Sequence, residues 1–177
     1  MKKYMEILNF NLLAKYNKTT NELMNNIIKE LTEDEWNQEF NGYFKSIHEL
    51  NSHIYICDFN WLKRFKYLRE FIVLRNNVFK KDYLFTETIF KNISEYILLR
   101  TELDKILIDY INELIEEDLE KYLEFTNSKR IKMERKMKSL ITHVFNHQAH
   151  HRGMISLYLE MLGKENSFSD SMYNTEI

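Results

Sequence analysis

The chain contains no proline and only three glycines in 177 residues. Sheet-rich folds use a turn former at nearly every reversal, so this scarcity predicts a few long helices joined by short connections. Cysteine occurs once, at Cys57, which excludes an intramolecular disulfide framework and fits a reducing compartment. No stretch approaches the ~18 consecutive apolar residues that a membrane span requires. Glu6, Asn9 and Asn11 interrupt the amino-terminal region, so no signal-peptide core is expected. With no membrane partner and no export signal, the expected location is cytoplasmic. A formal charge of −2 supplies no excess of cations and argues against nucleic acid as a partner.

What is present is apolar. Hydrophobic residues make up 44% and aromatics 14%, too much for a disordered chain. At this length one domain, 1–177, with a sizeable core is expected. Ile7, Leu8, Leu12, Leu23, Ile27 and Ile28 fall at helical spacing and predict a first helix over 4–31. Thr32-Glu-Asp-Glu35 has the form of a capping box, and Asn41-Gly42 is a turn signal. Phe44, Ile47, Leu50, Ile54, Trp61 and Phe65 then predict a second helix to about residue 68. Residues 69–82 read as a connection with some helical content. A third helix is expected over 84–116, on Ile89, Ile93, Tyr96, Ile97, Leu103, Leu107, Ile111 and Leu114.

The period then changes. Residues 122–126 and 130–133 alternate on either side of the polar Asn127-Ser-Lys129, which predicts a short β-hairpin. A fourth helix over 135–162 should end at Gly163, with a polar, irregular tail from residue 164. Charge divides around the hairpin. Glu113, Glu116, Glu117, Asp118, Glu120 and Glu124 precede it, whereas Lys129, Arg130, Lys132, Arg135, Lys136 and Lys138 lie in or after it. A basic patch for nucleic acid is one reading of the second cluster. The reading preferred is that the two clusters face each other or solvent.

Four of the six histidines fall within His143-Val-Phe-Asn-His147-Gln-Ala-His150-His151. His143, His147 and His151 are spaced i, i+4, i+8 and form one ridge on a helix. At ~100° per residue, Met137, Leu140, Val144, Ile155, Tyr158 and Leu162 share an arc of roughly 60°. His151 lies inside that arc, His147 at its edge, and His143 and His150 on the flank. Unpaired imidazoles in a core cost on the order of 1–3 kcal/mol each, so these rings need partners. A metal ion is one partner; buried carboxylates or backbone carbonyls are the other. A further ligand must come from elsewhere, and both remaining histidines, His48 and His53, lie toward the flanks of the second helix. His53 adjoins Leu50 and Cys57 and is slightly better placed. Cys57 could bind a soft metal, although a small buried core residue is the simpler account of it.

The fourth-helix run from His143 to Gly153 closely resembles the signature of the DinB-like family, helical bundles related to bacillithiol- and mycothiol-dependent transferases. Met154 stands where members usually carry Gln. Leu50-Asn-Ser-His53-Ile, followed by Trp61-Leu62, is similar to the family's second-helix pattern. Tyr16-Asn17, Asn21 and Leu23 resemble its first-helix pattern, with Thr19 where an aromatic residue is common, and Asn166 to Asp170 is similar to its carboxy-terminal segment. The resemblance implies an all-α four-helix bundle, up-down-down-up, often a homodimer. It implies metal binding by His53, His147 and His151, with His143 and His150 lining the pocket or supporting the ligands.

Three neutral imidazoles on a divalent ion leave coordination positions for water or substrate. Zinc is the expected ion; nickel and iron also accept imidazole. One reading is an enzyme that activates a low-molecular-weight thiol or water for attack on an electrophilic small-molecule substrate, an S-transferase or hydrolase. The alternative is a non-catalytic metal-binding stress-response protein in which the ion joins two helices. Asp58 or Glu49 could act as a base, but each reads more simply as surface charge on a helix.

Overall fold

Hydroxyl and amide caps set where the helices begin. In the computed structural model, which describes residues 5–127 and 129–170, four long helices carry the architecture: α1 (Met5–Ile28), α3 (Ile47–Phe65), α4 (Ile93–Glu113) and α6 (Met137–Met161). Between α1 and α3 lies the short α2 (Glu33–Asn37). Thr32 Oγ1 accepts from Glu35 N at 3.1 Å while Glu35 Oε2 accepts from Thr32 N at 2.8 Å, the reciprocal pair expected of that segment. Gly42 is needed because the chain passes close to α6. A Cβ there would sit 2.0 Å from Tyr158 Oη, whose hydroxyl donates to Phe44 O at 2.6 Å.

Several predicted boundaries move, each for a local reason. The first helix ends at Ile28, where i→i+3 bonds from Glu30 and Leu31 tighten the last turn. The second starts at Ile47, three residues after Phe44, because Ser46 Oγ accepts from Glu49 N and caps it. The third starts at Ile93, capped by Asn92 accepting from Glu95 N at 2.9 Å. Phe85, Ile89 and Phe90 belong instead to an irregular segment. That helix stops at Glu113, and Glu116–Glu120 forms a separate α5. Two 3₁₀ turns, Val73–Arg75 and Asn77–Lys80, fill the connection after α3. The amino-terminal residues 1–4, counted in part with the first helix, and the tail beyond residue 170 lie outside the described residues.

The hairpin is present. Strand β1 (Tyr122–Thr126) pairs antiparallel with β2 (Lys132–Lys136), Tyr122 opposite Lys136 and Phe125 opposite Met133. Its second strand starts two residues later than expected because Asn127 Oδ1 accepts from the backbone N–H of both Lys129 and Ile131, holding a longer turn with Arg130 at φ 61°. The charge clusters do face each other: Lys136 and Lys138 both reach Glu120. Gly163 closes α6 at φ 73°, as its position predicts. In the tail, Phe168 is buried in a 3₁₀ turn.

Cross-helix contacts give the directions. Asn21–Asp104 and Asn25–Tyr96 run antiparallel between α1 and α4. Asp58–Arg100 and Phe65–Tyr110 run parallel between α3 and α4. His53–His151 and Trp61–His143 run antiparallel between α3 and α6, while Glu6–Lys138 and Asn17–Arg152 run parallel between α1 and α6. The bundle is therefore up-down-down-up. Parallel α3 and α4 are possible because the chain between them, 66–92, is long enough to return along the bundle.

Charge also lies inside. Arg100 on α4, 2% exposed, binds Asp58 of α3 at 2.6 Å and Asp104 at 2.7 Å. Asn21 of α1 donates to Asp104 at 3.0 Å and to Gln148 of α6 at 3.2 Å. Arg152 donates to Asn17, Asn21 and Gln148. Two guanidinium and two carboxyl groups balance formally, and all four long helices are joined. Asp58 is thus a buried ion-pair member rather than surface charge. Burial still outweighs the neighbouring guanidinium and pushes its carboxyl up to about 7.

Candidate metal centre

His53 projects from α3 toward α6, where the i, i+4 pair His147 and His151 faces it. Nε2 of His147 lies 3.3 Å from Nε2 of His53 and 3.1 Å from Nε2 of His151. The ligand atoms of all three lie within 4.8 Å of one another. Zn–N bonds of ~2.0–2.1 Å in a tetrahedron set neighbouring nitrogens about 3.3–3.4 Å apart, so the two short spacings match the edges of such a site.

Hydrogen bonding alone does not satisfy this cluster. A ring nitrogen carries either one proton or one lone pair in the ring plane, so His147 Nε2 cannot bond both neighbours well. A cation shared by the three imidazoles would use the lone pairs that hydrogen bonding leaves over, with the third spacing, within 4.8 Å, closing slightly around it. Nδ1 of His147 and of His151 is buried and has no hydrogen-bond partner among the described residues. Electrostatics favours the neutral, ligating form. Burial, then the charges of His151 and His53, pull His147 down to about 3; burial, then His53, pulls His151 to about 4; burial lowers His53 as well.

Aromatic packing holds the rings. Phe44 lies 4.6 Å from the His53 ring and 5.4 Å, edge-on, from His151. The Gly42–Tyr158 contact therefore fixes a wall of the site as well as a turn. His48 is elsewhere: its Nδ1 meets Asn37 Oδ1 at 2.9 Å and its ring stacks on Trp36 at 5.2 Å. Of the two second-helix histidines, His53 is the one whose ring joins the cluster. His143 is exposed, edges onto Trp61 at 5.6 Å and lines the adjacent cleft. His150 is also exposed, with its ring 4.8 Å from His151.

The cleft beside His53 has a volume of about 610 Å³ and is walled by Phe44, Cys57, Trp61, Arg64 and Phe125 among others. Cys57 is buried, as a small core residue should be, yet its Sγ lies 3.6 Å from His53 Nε2 at the cleft wall. Burial, reinforced by Asp58, pushes its thiol up to about 12, so it is a thiol at neutral pH. Glu49 also lines the cleft; its carboxylate accepts from Lys45 N at the start of α3. Met154 packs partly buried against the core.

Periodicity missed Asn17, Asn21, Asp58, Arg100, Asp104, Gln148 and Arg152, the buried polar set behind the histidines. The signal available was spacing: Gln148 and Arg152 are i, i+4 and share one face of α6, about 100° round from His147 and His151.

No helix among the described residues is long and apolar enough to cross a membrane. The curated Protein DinB of Bacillus subtilis (strain 168) is 30% identical over 160 residues, spanning 89% of this chain and 88% of that protein. The crystal structure of a DinB-like protein from Bacillus subtilis superposes with a TM-score of 0.61 at 17% identity, covering 88% of this chain and 94% of the other, and shares the fold. A model of the DinB family matches residues 3–176, nearly the whole length, and the chain belongs to the DinB family.

Proposed function

We propose that the chain, as one domain, binds a divalent metal ion through His53, His147 and His151 and works on a small molecule in the adjoining cleft. The observation that carries this reading is the convergence of three imidazoles, His147 Nε2 lying 3.3 and 3.1 Å from the Nε2 atoms of His53 and His151. Zinc suits three neutral imidazoles, and nickel or iron is the substitute. When bound, the ion would supply a Lewis acid that lowers the pKa of a thiol or a water molecule toward neutrality. The protein's own part is to keep the imidazoles unprotonated and to hold α3 against α6. Aromatic walls on one side exclude bulk water. The reaction class is thiol or water addition to an electrophile, consistent with an S-transferase or hydrolase, in a cytoplasmic homodimer.

One observation favours a second reading, a non-catalytic metal-binding stress-response protein. Asp58, a sequence candidate for the base, is locked to Arg100, and Glu49 is engaged at the helix start. Exchange separates the two readings. A catalytic ion should exchange with a chelator in the folded protein, and thiol turnover with an epoxide or other electrophile should vanish in His147→Ala while the helical circular dichroism persists. A structural ion leaves only on unfolding, with no turnover of bacillithiol, glutathione, coenzyme A or water.

A further inference from the structure

Arg64 differs from the other sequestered arginines. Arg69 and Arg100 meet carboxylates, and Arg152 is held by three side-chain amides. Arg64 is half-buried; among the described residues no carboxylate pairs with it, and the one polar contact of its side chain is the Thr126 carbonyl at 3.4 Å. Its guanidinium lies 5.0 Å from the Trp61 ring centre and 6.0 Å from that of Phe125. Those rings hold the fork in place without using its donors. A partly desolvated, pre-positioned guanidinium with free donors, at the wall of a cleft, is a receptor for a planar anion.

The cleft is polarised along α3. Glu49, His53, Cys57, Trp61 and Arg64 all border it, with the carboxylate at one end and the guanidinium at the other. From His53 to Trp61, over which the guanidinium lies, is eight residues, or about 12 Å of helix. Between them the walls are Cys57, Trp61 and Phe125, so the middle of an occupant is apolar or aromatic. Arg64 is the single lysine or arginine among the residues lining the cleft. With one guanidinium, the cleft suits a singly charged carboxylate better than a phosphate dianion.

We propose that Arg64 anchors the carboxylate of a small molecule roughly 10 Å long whose apolar midsection lies on Trp61 and Phe125 and whose far end reaches His53, His147 and His151. This deepens the metal reading by naming the substrate or cofactor class, although the anchor itself does not require the ion. The probe is 4-phenylbutyrate, with neutral 4-phenylbutyramide as its counterpart, titrated calorimetrically into chelator-stripped full-length protein. The acid should bind about tenfold or more tightly than the amide. Arg64→Gln should bring the acid down to the level of the amide and leave the amide unchanged, with Arg64→Lys in between. A merely structural Arg64 would weaken both ligands together and lower the melting temperature. Equal binding of acid and amide, an acid affinity unaffected by Arg64→Gln, or no binding of either to folded protein overturns the proposal. Metal content measured before stripping keeps the two readings separate: the anchor can fail in a protein that carries one ion per chain, and it can stand in one that carries none.

Discussion

Replacing Arg100 by methionine should be among the most damaging single changes in this bundle. The side chain is 2% exposed and holds Asp58 and Asp104, themselves 2–3% exposed, at 2.6 and 2.7 Å. Methionine fills much of the volume but leaves two carboxylates buried without their cation. Breaking a buried pair in this way costs on the order of 3–5 kcal/mol, against a total stability of about 5–15 kcal/mol for a domain. At this chain length that corresponds to a fall in Tm of roughly 6–20 °C. The pH dependence identifies the cause. Asp58 is already raised to about 7 by burial, so the folded state holds a proton that the unfolded chain, near ~3.9, releases. Stability from this group is present below the unfolded value and is lost as pH rises through about 7. Without Arg100 the carboxyl rises further, so the gap between variant and wild type should narrow from pH 8 to pH 5.5. Urea unfolding at the two pH values measures it. A loss below ~1 kcal/mol, or one that does not change with pH, would refute the claim that the network holds the helices together.

Three further outcomes follow from the geometry. In metal-free protein His147 and His151 titrate near about 3 and 4, below the ~6.5 of an unfolded imidazole, so their contribution is full above ~6.5 and is lost as pH falls through the folded values. Urea unfolding of the chelated protein at pH 7.5 and 5 should show that loss, and His147→Gln should reduce the slope. Gly42→Ala places a Cβ 2.0 Å from Tyr158 Oη, so it should displace the ring that anchors Phe44 and weaken metal binding, whereas Gly153→Ala, inside α6 with open space around it, should raise stability by ~0.5–1 kcal/mol without changing metal content. Thr32→Ala removes the α2 cap and should cost ~1 kcal/mol in urea unfolding without altering metal content.

Helices, hairpin and histidine ridge were legible because each has a period or a cap that sequence displays. His151 falls inside the apolar arc of α6, and the structure places it there, buried, with His147 and His53 beside it. From sequence the third helix reads too long because Ile89 continues its apolar spacing, while the cap that sets its start, Asn92, looks like any other polar residue. Asp58, Arg100 and Asp104 were not legible as core. A charge on a helix reads as surface unless its counter-charge is known; Asp58 lies 42 residues from Arg100, and the i, i+4 pair Arg100–Asp104 looks like any exposed helix pair. His48 and His53 occupy similar flanks of α3, and only the packing of Trp36 against one and Phe44 against the other separates them.

The most direct measurement is metal content by elemental analysis of purified wild type and of folded His53→Ala, with His48→Ala as control. The account predicts about one divalent ion per chain in wild type and in His48→Ala, and little or none in His53→Ala. Metal-free wild type after growth with zinc, nickel and iron supplied, or a His53→Ala protein that keeps its full complement, would contradict it.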